Sequence, residues 1–394
     1  VSFSTPRTRA SRDRVCIVTT VHRAFSTRIF HREARTLVKA GYDVAIIAQH
    51  DRDEVVDGVK VLSLRVPRNR SARLLGLGWR AFRLAFRERA DVYHFHDPEF
   101  LLWGWLLQKV ARRPVVYDVH EYFSESLEEK HWLPAAARRP LARVLGAAER
   151  HIAGRLAGIV TVNEDLARRF SFRGHPATVV PNYPLRELFQ CVELDSDLAE
   201  RYGGQKIVVY VGGLTEARGI SQLIRVMALV SVGFPSARLL LIGAFQSSAY
   251  EFSVRKLISS LKLLGVVELV GRVPHEEVPR YLAAGDVGVF LPLPVSRRYS
   301  WGEPTKYFEY CAAGLPVVMS DLPAKRRLIE RVGNGIVVDP FDTAGAACAI
   351  IDLLREPERR KSLGQAGRRA FMKGYCWEAV EGRLLDLYER LQHQ

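Results

Sequence analysis

The strongest constraint on this chain is an alternation that runs along its length and restarts once. Short β-branched runs alternate with longer segments of helical periodicity, the pattern of parallel sheets wrapped by helices. In the first series, strands are expected at 15–20, 44–48, 59–64, 90–95, 114–119, 158–162 and 178–180. Helices are expected at 29–40, through the arginine-rich 65–89 segment and at 101–111, with a long helical stretch reaching about 157. The sequence PNYP, residues 181–184, then breaks the periodicity. The second series has strands at 206–211, 237–242, 267–270, 287–291, 316–319 and 335–338, with helices at 220–232, 250–264, 276–284 and 304–313. An amphipathic helix over 377–391 closes the chain. Two doubly wound α/β domains follow, residues 1–184 and 185–375, with 376–394 as a terminal helix. Ligands of such sheets bind beyond the carboxyl ends of the strands, so the loops there are where chemistry is expected.

Composition narrows the class. Fifty-eight Lys and Arg against 43 Asp and Glu give a net charge of +15 over 394 residues. The excess is uneven: residues 1–184 carry +12 and the remainder +3. One domain facing an anionic partner accounts for this better than a uniform solubility effect. Five widely spaced cysteines with no CxxC pair argue against a disulfide framework or structural zinc and fit a reducing cytoplasm. No run approaches the roughly 18 apolar residues of a membrane span. Nor does the sequence hold a helix-turn-helix, zinc-finger or RNP signature, so nucleic acid is not expected as a partner. Eight arginines lie between Arg65 and Arg89. On a helix, Arg73, Arg80, Arg83 and Arg87 fall within about an 80° arc, bordered by Leu75, Trp79, Phe82 and Phe86 on about 60°. Either this stripe lies on an anionic membrane, or the aromatics pack on a sheet beneath merely solvated arginines.

Four segments carry candidate chemistry. In SWGEPTKYFEYCAAGLPVVMSD (300–321), Pro304 suits a first helical turn, Gly314 its left-handed stop, and Lys306 sits near the N-terminus. A helix start of this kind is a preformed anion site. Glu309, more than one turn in, is either a carboxylate for a ribose diol or an ordinary exposed helix residue. In VVYVGGLTEARGISQLI (208–224), a strand enters the Gly212–Gly213 turn before Arg218 and Gly219 open a helix. The small residues permit close backbone approach, and Arg218 offers a fork to phosphate oxygens. DVYHFHDPEF (91–100) and VVYDVHEYF (115–123) end strands in histidines and acids. His94 and His96 share a strand face without a matching third ligand spacing, so no metal is expected. His94 reads as a buried strand residue, whereas His96, Asp97 and Glu121 read as partners of sugar hydroxyls. The loop TTVHRAFSTRIFHREA (19–34) places His22 and Arg28 at the same strand ends, with Arg28 facing an anionic group or its own neighbourhood. The acid pairs Asp51/Asp53 and Asp195/Asp197 read as polar loops.

Taken in order, these segments resemble the retaining glycosyltransferases of family four, which have the GT-B fold. The resemblance runs from about Arg14 to Leu391 and includes RIFHREARTLVKAGYDV, DVYHFHDPEFL, VVYDVHE, VVPNYP, YVGGLTEARGISQLI, VELVGRVPHEEVPRYLAAGDVGVF and EPTKYFEYCAAGLPVV. It implies two Rossmann-like domains facing a central cleft, the first binding the acceptor and the second a nucleotide sugar, with the last helix crossing back. It also implies that Glu309 binds the nucleotide ribose and Arg218 the donor diphosphate. His120 would lie beside the donor sugar, and Val273 would meet the base. Gly212, Gly213, Pro304, Thr305 and Lys306 complete the expected donor set. His22, Arg28, His96, Asp97 and Glu121 form the expected acceptor set. Three departures stand out. Gly213 occupies a position where the family commonly has arginine. The first glutamate of its E-x7-E pair falls at Trp301, with Glu303 two positions on as a substitute. The usual glycine pair after the first strand is replaced by the segment holding Arg28.

The expected reaction is metal-independent, retaining transfer of a sugar from a nucleoside diphosphate to a glycan or lipid-linked acceptor, without an enzyme nucleophile or cofactor. His120, Arg218 and Glu303 are the expected catalytic residues. Surface glycan synthesis at the inner face of a membrane, with peripheral contact through the arginine stripe, fits the charge asymmetry. A hydrolase or epimerase of the same fold, and a non-catalytic nucleotide-sugar-binding scaffold, are the competing readings.

Overall fold

The computed structural model describes residues 13–65, 70–126, 134–171, 176–190 and 195–392; side chains of 70–75, 125, 126 and 135 lie outside that description. The chain divides into two compact units, one of Val1–Asn182 with Val380–Gln394 and one of Tyr183–Ala379. Both are parallel α/β units of Rossmann type, and the architecture is GT-B.

The first unit is built on β1 (Arg14–Arg23), β2 (Asp43–Gln49), β3 (Glu54–Val56), β4 (Val59–Ser63), β5 (Val92–Phe95), β6 (Val115–Val119), β7 (Gly158–Thr161) and β8 (Thr178–Val179). Among the described residues they form one sheet in the order β3-β4-β2-β1-β5-β6-β7-β8. Only β3 runs antiparallel to its neighbour. This edge hairpin was not expected, although Asp57 and Gly58 supply its signal: both hold positive φ, 51° and 79°, as a two-residue turn requires. The central strands are buried on both faces, as continuous runs such as VAII predict. Strands β1, β5 and β6 are adjacent and parallel, so the residues following Phe95 and Val119 emerge at one edge.

The helix expected at 29–40 is two elements: a π-helix over Thr27–Ala34 followed by an α-helix over Arg35–Lys39. Arg70–Glu88 is the expected basic helix. The terminal helix Glu381–Gln392 belongs to the first unit. It is held there by Thr36 Oγ1 donating to Glu381 Oε2 at 2.7 Å and by Arg383 donating to the Val179 carbonyl at 3.2 Å.

The second unit contains β9 (Lys206–Val211), β10 (Ala237–Ile242), β11 (Val267–Gly271), β12 (Val287–Phe290), β13 (Val317–Ser320) and β14 (Gly335–Val338). Their order is β11-β10-β9-β12-β13-β14, with every pair parallel. All six were legible as strands. Several helices were not, among them Glu164–Phe170 in the first unit and Ser196–Tyr202, Pro323–Val332, Thr343–Arg355 and Pro357–Gly374 in the second. Caps mark three of these. Asn163, Asp195 and Asp342 each accept a hydrogen bond from a first-turn backbone amide. Asp195 is therefore a helix cap, not a residue of an undifferentiated polar loop.

Candidate active site

In the second unit, β9 ends in Gly212, whose φ of 118° suits glycine. The following turn is held by Thr215, whose hydroxyl accepts from the Arg218 backbone amide at 3.2 Å. Gly219, with φ 74°, then starts the helix Ile220–Gly233. A Cβ at Gly219 would lie 1.7 Å from the Leu291 carbonyl oxygen, so only glycine lets this turn seat against the end of β12. The Arg218 guanidinium donates to the Gly213 carbonyl at 3.3 Å, which fixes the side chain over the glycine turn.

The helix Thr305–Ala312 approaches the same turn. Pro304 is its N-cap residue and lies just outside it, one position earlier than expected. Lys306 is 8% exposed, and its Nζ has no hydrogen-bond partner among the described residues. The ammonium sits 3.8 Å above the Tyr210 ring centroid and 4.3 Å from that of Phe290. A Cβ at Gly212 would lie 3.0 Å from Lys306 Nζ, and one at Gly213 would lie 3.0 Å from an Arg218 nitrogen. Two cations thus converge on one glycine turn. Burial, reinforced by the neighbouring Arg218 charge, holds the Lys306 amine well below its ordinary range. Two basic groups beside a helix N-terminus form a site suited to an anion.

Glu309 is buried, with Oε1 3.9 Å from His275 Nδ1, so it is not an ordinary exposed helix residue. Sequence reasoning passed over His275, which reaches the carboxylate from a separate short helix. Val273 lies in the same connection, after Gly271. Glu303 stands half-buried on the loop before Pro304, in the field of Lys325 and Arg331. Lys325 is the hidden support of that loop. Its buried amine donates to the Tyr299 carbonyl and, at 2.6 Å, to the Gly302 carbonyl. Burial pushes it down to about 7. Trp301 does not replace a carboxylate; the guanidiniums of Arg297 and Arg327 lie 5.8 and 5.0 Å from its ring centroid.

In the first unit, three residues expected to face an acceptor are turned inward. Arg28 is 6% exposed and donates to Asp118 Oδ2 from Nε and a terminal nitrogen, at 2.9 and 2.7 Å. It also donates to the Val180 carbonyl and to Asn182, and its Nε lies 2.8 Å from Glu33. Asp97 is consumed by the second half of β1, accepting from Thr19 Oγ1 at 2.8 Å and from the Thr20 and Val21 amides at 2.6 and 3.3 Å. His96 is buried between Glu33, 3.2 Å from its Nε2, and His120, whose Nε2 lies 2.9 Å from its Nδ1. The reason is shared: strand-end polar residues flanking the central strand meet one another before they meet solvent. His94 is a buried strand residue, with its Nδ1 2.7 Å from the Tyr388 hydroxyl on the terminal helix. His120, His22 and Glu121 remain at the surface of this cluster. The His120 side chain is 18% exposed and that of His22 43%.

Glu33, His94, His96 and Asp118 bring one potential ligand atom each within 4.8 Å of one another. The Arg28 guanidinium already stands against both carboxylates, where a cation would be needed. Burial alone would raise the Asp118 carboxyl, but Arg28 and the His120 and His94 rings hold it well below the ordinary range. Glu33 goes the other way: burial pushes it well above that range, against the pull of Arg28, and the Asp118 charge adds to the rise. Burial likewise keeps His96 neutral.

On the outer face, Arg80, Arg83 and Arg87 are exposed; the side chain of Arg73 lies outside the described residues. The aromatic border is split. Phe82 is buried, whereas Trp79 and Phe86 are 45% and 44% exposed and stack on either side of it, at 5.4 and 6.3 Å. No helix among the described residues is long and apolar enough to cross a membrane.

Two family models cover most of the chain: "Glycosyl transferase 4-like domain" over residues 26–183 and "Glycosyl transferases group 1" over residues 194–370. The chain belongs to family four of the glycosyltransferases, enzymes that use a nucleotide-sugar donor. The phosphatidyl-myo-inositol mannosyltransferase of Mycobacterium leprae is 28% identical over 307 residues, covering 76% of this chain and 73% of that one. The spore coat protein SA of Bacillus subtilis is 28% identical over 195 residues, and there the match spans about half of either chain, 48% and 49%. Among solved structures, the sucrose-phosphate synthase of Thermosynechococcus elongatus superposes with a TM-score of 0.77 at 21% identity, over 96% of this chain and 99% of that one. That likeness is one of fold.

Proposed function

We propose that this glycosyltransferase transfers a sugar with retention of configuration, without a metal ion, to a lipid-linked acceptor at an anionic membrane surface. The observation that carries the reading is the buried, unpartnered Lys306 ammonium converging with Arg218 on the Gly212–Gly213 turn. When the bond from the anomeric carbon to the diphosphate breaks, negative charge collects on the leaving group. In this reading Arg218, Lys306 and the first amides of the Thr305–Ala312 helix stabilise it, the task a divalent ion performs elsewhere. Glu309, supported by His275, accepts from the ribose hydroxyls. Val273 lines the base, and Glu303 acts from the Lys325-supported loop. The acceptor hydroxyl bonds to the anomeric carbon on the departing face, and its proton passes to the leaving phosphate. His22, Glu121 and His120 are the first-unit groups left to meet sugar hydroxyls. Arg28, His96 and Asp97 act behind them.

The lipid acceptor is supported by the named substrate of the mycobacterial relative and by the exposed Trp79–Phe86 ridge beside Arg80, Arg83 and Arg87. Such a face joins apolar insertion to attraction for anionic headgroups. The role is surface glycoconjugate or polysaccharide synthesis on the cytoplasmic side. The test is a donor screen with UDP-, GDP-, ADP- and CDP-sugars, followed by turnover on phospholipid-linked acceptors with and without EDTA. Turnover that survives EDTA and falls at least tenfold in Arg218→Ala is expected. Loss of activity in EDTA, an undiminished Arg218→Ala enzyme, or sugar release to water alone would each refute the reading.

A further inference from the structure

The polar cluster behind His120 backs a group proposed to meet the substrate without being placed against the substrate itself. We infer that Asp118 is a positioning residue that fixes the His120 ring with its proton on Nε2, so that Nδ1 is presented to a sugar hydroxyl as a hydrogen-bond acceptor. The inference rests on the reading that His120 meets the substrate.

The argument is one of proton inventory. His120 Nε2 has two inward neighbours, His96 Nδ1 at 2.9 Å and Asp118 Oδ1 at 3.3 Å. Asp118 is pinned as a carboxylate by the buried Arg28 fork, so toward the ring it can only accept. A ring nitrogen held between a carboxylate and a neutral imidazole carries the proton, which leaves the other nitrogen with a lone pair. His96, being neutral, then accepts at Nδ1 and holds its own proton on Nε2, facing Glu33 at 3.2 Å. Burial pushes the Glu33 carboxyl well above its ordinary range, and toward that ring it offers an acceptor oxygen. The one fixed negative charge beside the ring is that of Asp118, balanced by Arg28. Reversing the His120–His96 bond would turn the bare Nε2 lone pair of His120 toward the Asp118 carboxylate, two acceptors face to face.

Long-range proton–nitrogen spectra of the histidine-labelled enzyme are expected to show His120 as the Nε2–H form. In Asp118→Asn, the amide donates where the carboxylate accepted; the proton is expected to move to Nδ1 and kcat to fall about 10- to 100-fold. Nucleotide affinity, a property of second-unit residues, should stay within about twofold. Because Asp118→Asn also removes the partner of Arg28 and so threatens folding, a second pair leaves the buried cluster charged as it is. His120→Asn keeps a polar atom near the Nδ1 position, and His120→Gln keeps one near Nε2. The asparagine variant is expected to retain more turnover. If His120→Ala turns over like the parent, the assignment of His120 to the substrate falls. If His120→Ala is inactive but Asp118→Asn leaves tautomer and kcat unchanged, this inference alone falls. Stoichiometric zinc in the purified protein by elemental analysis would also overturn it, since the rings would then be ligands.

Discussion

Replacing Lys306 with methionine should move binding and stability in opposite directions. In the ligand-free protein the amine is buried, has no hydrogen-bond partner among the described residues, and shares its surroundings with the Arg218 charge. Methionine fills similar volume against Tyr210 and Phe290 without desolvating a charge. The free protein should therefore gain about 1–3 kcal/mol, the usual cost of burying an unpaired polar group. Binding should suffer, because a charge-assisted hydrogen bond to a diphosphate contributes about 1.5–3 kcal/mol, or roughly 10- to 150-fold in affinity. The pH dependence gives a second sign. The folded amine holds its proton more weakly than an exposed lysine, and a bound diphosphate restores that proton. Donor binding should then take up protons, and affinity should weaken as pH rises through the lowered range. Calorimetry of nucleotide binding in buffers of different ionisation enthalpy, beside urea unfolding of the free protein, measures both effects. A Lys306→Met protein that is less stable yet binds nucleotide undiminished would refute the assignment of this amine to an anion.

Three further outcomes follow from other elements. Changing Arg80, Arg83 and Arg87 together to glutamate should release the enzyme from anionic vesicles in flotation, since each cation near such a surface contributes about 1 kcal/mol; unchanged flotation would mean the stripe is only solvated. Asp97→Ala orphans the buried Thr20 amide and Thr19 hydroxyl and should lower unfolding stability by about 1–3 kcal/mol per orphaned donor, read from the urea midpoint. Lys325, held near 7 when folded and near 10.5 when unfolded, binds fewer protons in the folded state between those values, so stability should rise with pH across that window. Lys325→Met should flatten the part of that slope it owns and loosen the loop bearing Glu303, seen as faster hydrogen exchange at 297–303.

The legible parts of the molecule were those whose signal is local. Lys206–Val211, Ala237–Ile242 and Gly335–Val338 are short, mostly apolar runs bounded by turn or helix signals, and their ends read true to the residue. Lys306 was legible as a cation near a helix start because Pro304 and Gly314 bracket that helix. The helices Pro323–Val332 and Pro357–Gly374 were missed because they are highly charged and bury narrow faces. The inward turn of Arg28 could not be read, since its partner Asp118 lies 90 positions away and only the β1-β5-β6 order brings them together. The residue types were correctly suspected of polar work. Their direction was set by which neighbour each strand end meets first.

The π-helix at Thr27–Ala34 makes that cluster unusually sensitive to chain length. Its amides reach back five residues, as His31 does to the Ser26 carbonyl, and six of its eight residues are buried, including Arg28, Arg32 and Glu33. A helix of ordinary pitch would place each later residue about 100° further round. Removing a single residue anywhere in this segment would let it relax to that pitch, and Glu33 would leave the interior although no charged side chain had been altered. Among natural relatives and engineered variants, changes in length here should be tolerated no better than the loss of Arg28 or Glu33. The segment carries its chemistry in its count of residues as much as in their identity.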